Sequence, residues 1–220
     1  MKRIEHEQIA RIGQAMASPV RLRALNLLAQ RPWRVGELAQ ELGESVAAAS
    51  AQLKVLRAAG MIVEERRGRE TWCRIESHDV FRLLSAAQRA AEAVLPELRE
   101  IVRAEDDDPF VSRDLDLRKL AEEVAGDRVT LIDLRPSQEY LVAHFPGARS
   151  YPFPGLAEAD LEALRSQERL VAYCRGPWCL MARKGVQILN DRGLPARRLR
   201  LGIVDWRADG IPLITGPNPT

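Results

Sequence analysis

The stretch "VAYCRGPWCLMA", residues 171–182, passes from an apolar run through a loop to residues of helical character. The apolar run ends at Tyr173, Cys174 follows it directly, and an Arg, a Gly and a Pro come before Cys179. A strand that leads through a loop into a helix is typical of parallel α/β sheets, which place their ligand sites at the carboxyl ends of the strands. The stretch therefore predicts a functional loop at the edge of a parallel sheet.

The loop has the features of a site for a negatively charged group. Its backbone N–H groups and the start of the next helix would form a cradle for an anion, and Gly176 lets the backbone turn tightly. We expect this field to lower the pKa of Cys174, with Arg175 adding a cation beside it. A nucleophile that carries an anionic adduct, such as a persulfide, fits this pattern. The alternative is an inert cysteine at a strand end.

Cys179, the second thiol of the loop, leaves two possibilities open. It either attacks a persulfide on Cys174, releasing sulfide and leaving a disulfide, or it only fills space against the following helix. A zinc site is not expected, because a structural zinc needs about four ligands and His6, His78 and His144 are scattered along the chain. The sequence predicts no metal and no cofactor.

The chain around this loop alternates between two kinds of segment. The runs of strand length are "VTLIDL", "RLVAYC" and "ARRLRL", and the helical segments are "LDLRKLAEEVAG", "AEADLEALRSQ" and "CLMARKGVQILNDRG". This alternation predicts an α/β domain with a central parallel sheet over residues 112–220.

Composition sets the broad class of the chain. With 220 residues, of which 46% are hydrophobic and 29% charged, the chain is expected to fold as one large or two small globular domains. The net charge of +2 gives no argument for nucleic acid. The start "MKRIEHEQIARIG" lacks the apolar core of a signal peptide, and no stretch reaches membrane-spanning length. We expect a cytoplasmic protein with reduced thiols and no membrane partner.

A break in the chain lies at "RAEDDDPF", residues 103–110. Four consecutive acidic residues followed by Pro109 predict an exposed linker. We therefore place an acidic linker at residues 105–111, between a domain at residues 1–104 and a second domain at residues 112–220.

The first domain is predicted to be mainly helical with one hairpin. The helical segments are "SPVRLRALNLLAQ", capped by Ser18, "RVGELAQELG", and "ESVAAASAQLKVLRAAG", capped by Ser45. On the third of these, Val46, Ala49, Leu53 and Leu56 fall on one face, which we expect to be buried. The next segment, "MIVEERRGRETWCRI", has strand character around a central turn. Two short helices followed by a basic hairpin predict a winged helix-turn-helix.

Candidate DNA contacts lie on the third helix and on the hairpin, or wing. On the helix, Ser45, Ser50 and Gln52 are candidates for hydrogen bonds to base edges, and Lys54 for a phosphate contact. On the wing, the candidates for phosphate contacts are Arg66, Arg67 and Arg69. The alternative for the wing is a solvated charged hairpin.

Cys73 lies on the second strand of the wing. Alternation along the strand places it on the same face as Thr71 and Ile75. Two interpretations stay open for it, a small half-buried filler and a sensing thiol.

A long helix is predicted from about residue 78 to 104. Its apolar residues recur at steps of four and three, a seam suited to packing against another helix; they are Val80, Leu84, Ala87, Ala91, Val94, Leu98 and Ile101. Pro96 is expected to kink or restart the helix. The seam predicts a homodimer joined through residues 80–101.

The first domain resembles a known family. The segments "SPVRLRALNLL", "GELAQELGESVAAASAQLKVLRAAGMI" and "RRGRETWCRI" are similar to the ArsR family of dimeric bacterial repressors, over residues 8–103. The resemblance implies a homodimer that binds double-stranded DNA at an operator, expected to be an inverted repeat because the protein is two-fold. The cysteine pair of the metal-sensing members is missing from residues 35–42, so metal sensing is not expected.

The second domain resembles the rhodanese domains, which are sulfurtransferases. Three segments in the expected order carry this resemblance over residues 112–215, namely "LIDLRPSQEYLVAHFPGA", "VAYCRGPWC" and "GIVDWRADGIPL". The resemblance implies that Cys174 carries the sulfur and that Arg175, Gly176 and Cys179 belong to its cradle. It also implies that Asp133 and Arg135, which match the family's D-x-R at the end of an early strand, are candidate catalytic residues. Arg135 and Glu139, four residues apart, are expected to form a structural ion pair.

Two departures from the rhodanese pattern bear on the chemistry. Cys179 stands where many members have Arg or Lys, and Leu201–Gly202 stands where a Gly–Gly pair is usual. Fewer cations weaken the case for thiosulfate as the donor, and a second thiol favours persulfide or redox chemistry.

Together these features predict a two-domain DNA-binding regulator whose α/β domain takes sulfane sulfur onto Cys174, from a donor such as thiosulfate or polysulfide. Two rival functions stay open. One is a sulfurtransferase whose helical domain serves dimerisation, and the other is a regulator with an inactive rhodanese module.

Overall fold

A computed structural model of the chain describes residues 3–106, 111–112 and 116–217. The chain divides into two compact units, Met1–Phe81 and Arg82–Thr220. Of the predicted acidic linker, residues 105–106 end a helix, and residues 107–110 lie outside the described part of the chain. The domain boundaries at residues 104 and 112 stay a prediction.

The first unit begins with four helices, which are α1 (Arg3–Met16), α2 (Pro19–Leu28), α3 (Val35–Leu42) and α4 (Val46–Ala58). The two predicted caps are confirmed. The Ser18 side chain accepts a hydrogen bond from the Arg21 N–H at 3.5 Å, and the Ser45 side chain accepts one from the Ala48 N–H at 3.1 Å. Each cap satisfies an N–H group that has no partner within its helix.

The predicted apolar face of α4 is correct except at its first residue. Ala49, Leu53 and Leu56 are fully buried, whereas Val46 is 56% exposed. Helical side chains point back towards the N-terminus of their helix. Val46 is the first residue of α4, so no earlier turn of the helix lies beneath its side chain. The prediction of a buried Val46 is therefore wrong.

The predicted hairpin is confirmed as β2 (Val63–Arg67) and β3 (Glu70–Arg74), an antiparallel pair in which Arg67 faces Glu70. A short strand that the sequence did not predict, β1 (Trp33–Arg34), pairs with β3 on its other edge. The wing is therefore the outer part of a three-stranded sheet in the order β1-β3-β2.

The predicted long helix forms two helices, α5 (His78–Val94) and α6 (Pro96–Asp106). The prediction that Pro96 restarts the helix is confirmed. Val80 and Leu84 are 8% and 4% exposed, so their side chains lie inside the folded chain and are not available to a second helix. The predicted seam is therefore wrong at these two positions, because both side chains are buried within the chain itself.

The second unit is built on a four-stranded parallel sheet in the order β5-β4-β6-β7, which confirms the predicted fold class. Its strands are β4 (Thr130–Asp133), β5 (Arg149–Ser150), β6 (Leu170–Tyr173) and β7 (Ala196–Arg198). The helices are α7 (Leu117–Ala125), α8 (Ser137–Val142), α9 (Glu162–Arg165), α10 (Leu180–Asp191) and α11 (Ile203–Ala208), with a short 3₁₀ helix at Phe153–Gly155.

Apolar residues cover both faces of this sheet. Val171 and Tyr173 of β6 pack in one cluster with Trp206, and Leu170 and Ala172 pack in a second cluster with Val186. Because the central strands are buried on both sides, their sequences are continuous apolar runs. The carboxyl ends of β4 and β6 lie side by side, with Asp133 opposite Tyr173.

Within the described residues, no helix combines the length and the apolar character that crossing a membrane requires.

Candidate functional site

The cysteine loop lies where the sequence predicts it, between the end of β6 at Tyr173 and the start of α10 at Leu180. Gly176 has a φ of +154°, a backbone conformation that residues other than glycine rarely adopt. The Cys179 N–H donates to the Gly176 carbonyl at 3.2 Å, and Cys179 is the N-cap residue of α10. The loop therefore turns sharply and ends at a helix N-terminus, which attracts negative charge.

The two thiols of the loop are in contact. The sulfur atoms of Cys174 and Cys179 lie 2.7 Å apart, and both residues are free thiols. Cys174 is only 1% exposed, whereas Cys179 is partly exposed. The two cysteines form one dithiol, in which the buried Cys174 provides the inner sulfur and the partly exposed Cys179 the outer sulfur.

The two sulfurs of the dithiol have different electrostatic environments. Burial and the neighbouring Cys179 raise the pKa of Cys174 well above its ordinary value. The hydrogen bond with Cys174 lowers the pKa of Cys179 to about 6, helped by the backbone N–H groups of Ala182, Arg175 and Met181. The prediction that the pKa of Cys174 is lowered is therefore wrong, because burial at the end of the strand disfavours the charged form of this thiol.

The cation that Arg175 adds beside Cys174 already has a carboxylate partner within the chain. Its Nε and Nη2 atoms donate to Oε1 of Glu139 at 3.0 and 2.6 Å. Glu139 is 1% exposed, and the pair is a buried, two-pronged ion pair that cancels the charge of both groups. The sequence predicts an ion pair of Glu139 with Arg135, and the Glu139 charge stabilises that guanidinium. The structure adds a close contact of Glu139 with Arg175, which the sequence did not predict.

Asp133 and Arg135 form a brace beneath the loop. Both are fully buried, and Arg135 donates from its backbone N–H and its Nε to Asp133 Oδ1 at 2.9 and 3.0 Å. The Tyr173 hydroxyl donates to Asp133 Oδ2 at 2.5 Å, and Arg135 Nη2 donates to the Ala143 carbonyl at 2.8 Å. The brace ties the ends of β4 and β6 together, which supports a positioning role; the catalytic assignment of the two residues stays a prediction.

One wall of the cradle is formed by Gly202. A Cβ atom at Gly202 would lie 2.9 Å from the Cys174 carbonyl oxygen, the Arg175 carbonyl carbon and the Gly176 nitrogen. Only a glycine allows this approach of two backbones. Of the usual Gly–Gly pair, the chain keeps the glycine that contacts the loop.

Sequence reasoning missed the residues that hold this wall in place. The Gly202 N–H donates to Asp205 Oδ2 at 3.0 Å, and the Ser85 hydroxyl donates to Asp205 Oδ1 at 2.7 Å. Arg89 donates in turn to Ser85 Oγ at 2.7 Å. Ser85 and Asp205 are buried and lie 120 positions apart, so no local pattern could have paired them.

The candidate DNA contacts of α4 are not equally available. Ser50 and Lys54 are exposed. Ser45 is exposed as well, although its hydroxyl oxygen caps the helix. Gln52 is half-buried, and its side-chain carbonyl accepts a hydrogen bond from Arg21 Nη1 at 2.8 Å. Ser50 and Lys54 therefore face solvent, whereas the side chains of Ser45 and Gln52 are engaged in hydrogen bonds within the chain.

The three wing arginines, Arg66, Arg67 and Arg69, are all exposed. Arg67 forms an ion pair with Glu65 at 2.8 Å and lies 5.5 Å from the centre of the Trp72 ring. Arg66 donates to the Gly68 carbonyl at 3.3 Å.

A cavity of about 710 Å³ separates the wing from α4, and Ser50, Lys54 and Arg69 are among its lining residues. Arg34, which the sequence did not single out, also lines it and forms ion pairs with Glu37 and Glu70. The structure thus brings candidate residues from α4 and from the wing together around one concave surface.

Cys73 is fully buried on β3. Burial raises the pKa of Cys73 to about 12, so the side chain stays a neutral thiol at physiological pH. Of the two interpretations left open by the sequence, this environment favours the filler.

Two family profiles match the chain. Residues 18–63 match the family described as bacterial regulatory protein, arsR family, and residues 116–209 match the rhodanese-like domain. Over 213 residues the chain is 36% identical to the HTH-type transcriptional regulator Rv0324 of Mycobacterium tuberculosis, with 96% of this chain and 92% of that protein covered. The chain belongs to the ArsR family of transcriptional regulators. It is a DNA-binding winged helix-turn-helix regulator that carries a rhodanese domain, as both resemblances implied.

Other relatives match the first domain. The HTH-type transcriptional regulator NmtR of M. tuberculosis is 39% identical over 80 residues, which cover 36% of this chain and 67% of that protein. The solution structure of the homodimeric winged helix-turn-helix domain of Mb0332, from Mycobacterium bovis, is 34% identical. That match covers 44% of this chain and 92% of the other, with a TM-score of 0.41.

Proposed function

We propose that this ArsR-family regulator accepts sulfane sulfur on the dithiol of its rhodanese domain and carries it on Cys174 as a persulfide, for sensing or transfer. The main supporting observation is the contact of the two loop sulfurs at 2.7 Å beside a helix N-terminus. Such a site offers a thiolate and a pocket for an anionic adduct in the same place.

The DNA partner is an operator that is an inverted repeat. In this proposal α4 enters the major groove, Ser50 approaches base edges with Ser45 and Gln52, and Lys54 contacts phosphate. The exposed wing arginines neutralise backbone phosphates. Arg69, which has the fewest contacts among them, is the one we expect to contribute most.

The protein acts as a homodimer. Apolar side chains remain exposed on α1, where Ile4 and Ile9 are 67% and 63% exposed. They also remain exposed on the later part of the predicted seam, where Val94 and Ile101 are 68% and 51% exposed. Burying such residues against a second copy removes apolar surface from water.

The sulfur donor is a persulfide-type donor, R–S–SH, rather than thiosulfate. Thiosulfate carries two negative charges, and the guanidinium of Arg175, the residue after Cys174, is paired with Glu139. A persulfide carries at most one negative charge and depends less on a cation, so it is favoured as the donor for the proposed rhodanese-type sulfurtransferase activity.

Mass spectrometry of the intact protein after exposure to sodium polysulfide tests this function, with DNA binding measured on the same sample. The probe is the DNA upstream of the protein's own gene. We expect the wild type to gain sulfur and its DNA affinity to change. The variant with both Cys174→Ser and Cys179→Ser should gain none, and Cys73→Ala, which removes the third thiol, should behave as the wild type.

A wild type that binds DNA but gains no sulfur would leave the rhodanese domain as an inactive module. Sulfur uptake and turnover with cyanide, without any binding to the upstream DNA, would instead support a sulfurtransferase whose helical domain serves dimerisation.

A further inference from the structure

Helix α5 carries a stripe of polar side chains along one face. Its members recur at steps of three and four residues, which places them on the same side of a helix; they are Arg82, Ser85, Arg89 and Glu92. Arg82 Nε donates to the Ala208 carbonyl at 3.3 Å, and Glu92 Oε1 accepts from Arg200 Nη2 at 3.3 Å. From Arg82 onward α5 belongs to the second unit of the chain. The polar stripe therefore binds α11 and the residues just before it.

Ser85 is the buried member of the polar stripe. Its side chain is fully buried, and Asp205 opposite it is 7% exposed. Because the Arg89 guanidinium can only donate, the single hydroxyl proton of Ser85 is directed to Asp205 Oδ1, at 2.7 Å. A buried carboxylate needs such donors in place of water, so α5 satisfies one oxygen of Asp205.

The other oxygen of Asp205 fixes the backbone of Gly202. The Gly202 N–H donates to Asp205 Oδ2 at 3.0 Å. Gly202 in turn lies so close to the cysteine loop that a Cβ atom on it would meet the Cys174 carbonyl oxygen and the Gly176 nitrogen at 2.9 Å. A continuous set of contacts therefore runs from α5 through one carboxylate to the backbone of the loop.

We propose that Ser85 and Asp205 are positioning residues of the sulfur site, so that the contact with α5 sets the rate at which the cysteine loop takes up sulfur. The inference rests on the proposed function and adds to its site a helix that the sequence assigns to dimerisation. The loop's backbone N–H groups hold an anionic adduct only if they are aimed at it before the reaction. Without the Ser85 hydroxyl, Asp205 loses a donor, and the Gly202 backbone that confines the loop is free to shift.

The polar stripe does not overlap the predicted dimer seam. At 3.6 residues per turn, it lies on the side of α5 opposite to Ala87, Ala91 and Val94. Substitution of Ser85 therefore leaves the seam residues in place, and an effect on sulfur uptake would not come from loss of the dimer.

Sulfur uptake from sodium polysulfide by the full-length protein, followed by mass spectrometry over a pH series, tests the proposal well below the unfolding temperature of each variant. We expect Ser85→Ala and Asp205→Asn each to slow uptake by about tenfold or more, since a misplacement of about 1 Å can cost on the order of a hundredfold. The pH midpoint of uptake should move upward, because a displaced loop holds a thiolate less well. The double variant should be no slower than the slower single variant, since the two residues act through one set of contacts.

Thr130→Val is the matched control. The Thr130 hydroxyl donates to Gln167 Oε1 at 2.6 Å, at the amino end of β4 and away from the strand ends that precede the cysteine loop. This variant loses a largely buried side-chain hydrogen bond of the same unit and should keep the wild-type rate and pH midpoint. If Ser85→Ala matched Thr130→Val in both, or if the effects of Ser85→Ala and Asp205→Asn simply added, the proposal would be overturned.

Hydrogen exchange of the backbone amides gives a readout that does not depend on sulfur. We expect Ser85→Ala to speed exchange in peptides covering residues 174–179 and not in those covering residues 130–133, because only the loop loses its confinement. Unchanged exchange in the loop would refute the proposal and leave the proposed function standing. A wild type that takes up no sulfur would refute the proposed function, while the exchange rates would still decide whether α5 holds the loop.

Discussion

At the scale of single residues, Gly202 constrains the shape of the cysteine loop. A Cβ atom there would meet three backbone atoms of the cysteine loop at 2.9 Å. Backbone atoms cannot rotate away as a side chain can, so the loop or α11 must shift. We predict that Gly202→Ala destabilises the protein by about 1–3 kcal/mol, the usual cost of overpacking, and slows sulfur uptake. Thermal unfolding and polysulfide uptake measure the two effects.

Gly155 provides the matched control. A Cβ atom at that position would have no neighbour within 4 Å, and we expect Gly155→Ala to match the wild type in both assays. If Gly202→Ala kept wild-type stability and uptake, the close approach of α11 to the loop would be wrong.

At the scale of elements, the wing balances its arginines with acidic residues. Arg67 is paired with Glu65, whereas Arg69 lies exposed near the tip of the hairpin. We predict that Arg69→Ala weakens binding to all DNA sequences alike and lowers the slope of log affinity against log salt by about 1. Glu65→Gln should release Arg67 for phosphate and strengthen binding, with a steeper slope. Fluorescence anisotropy titrations over a salt series measure both.

Neither substitution changes a residue that is proposed to contact the bases. The ratio of the affinities for operator and for unrelated DNA should therefore stay constant. A change in that ratio with an unchanged salt slope would mean that Arg69 reads sequence and does not contact phosphate.

At the scale of the whole molecule, the exposed apolar residues of the predicted seam are the candidate dimer surface. Val94 and Ile101 lie in consecutive helices of the predicted seam and are 68% and 51% exposed. We predict that the variant Val94→Glu with Ile101→Glu is a monomer. Because one half-site is then bound without its linked second half, its affinity for a two-fold operator should fall on the order of a hundredfold. Analytical ultracentrifugation and DNA titration measure the two results.

Leu141→Glu is the matched control, since Leu141 is a 47% exposed apolar residue of α8 outside the seam. It should remain a dimer with wild-type DNA affinity. A dimeric Val94→Glu, Ile101→Glu protein would place the interface elsewhere, with the exposed face of α1 as the next candidate.

Local patterns were sufficient to predict most of the elements in the chain. The alternation of strands and helices predicted the parallel sheet, and the basic turn predicted the wing. Ser18, Ser45 and Pro96 marked helix ends correctly, because capping and the missing proline N–H act within one helical turn. The strand–loop–helix around Cys174 was likewise predictable, since each part of it depends on near neighbours.

Burial and pairing were decided by the tertiary structure. Arg175 is neutralised by Glu139, 36 positions away, and Ser85 reaches Asp205 across 120 positions. The same holds for the dithiol. The sequence places two cysteines on one loop, but the end of β6 buries one sulfur and the N-terminus of α10 holds the other. Burial raises the pKa of Cys174, whereas Cys179 stays partly exposed, and this difference exists only once the strand and the helix are packed together.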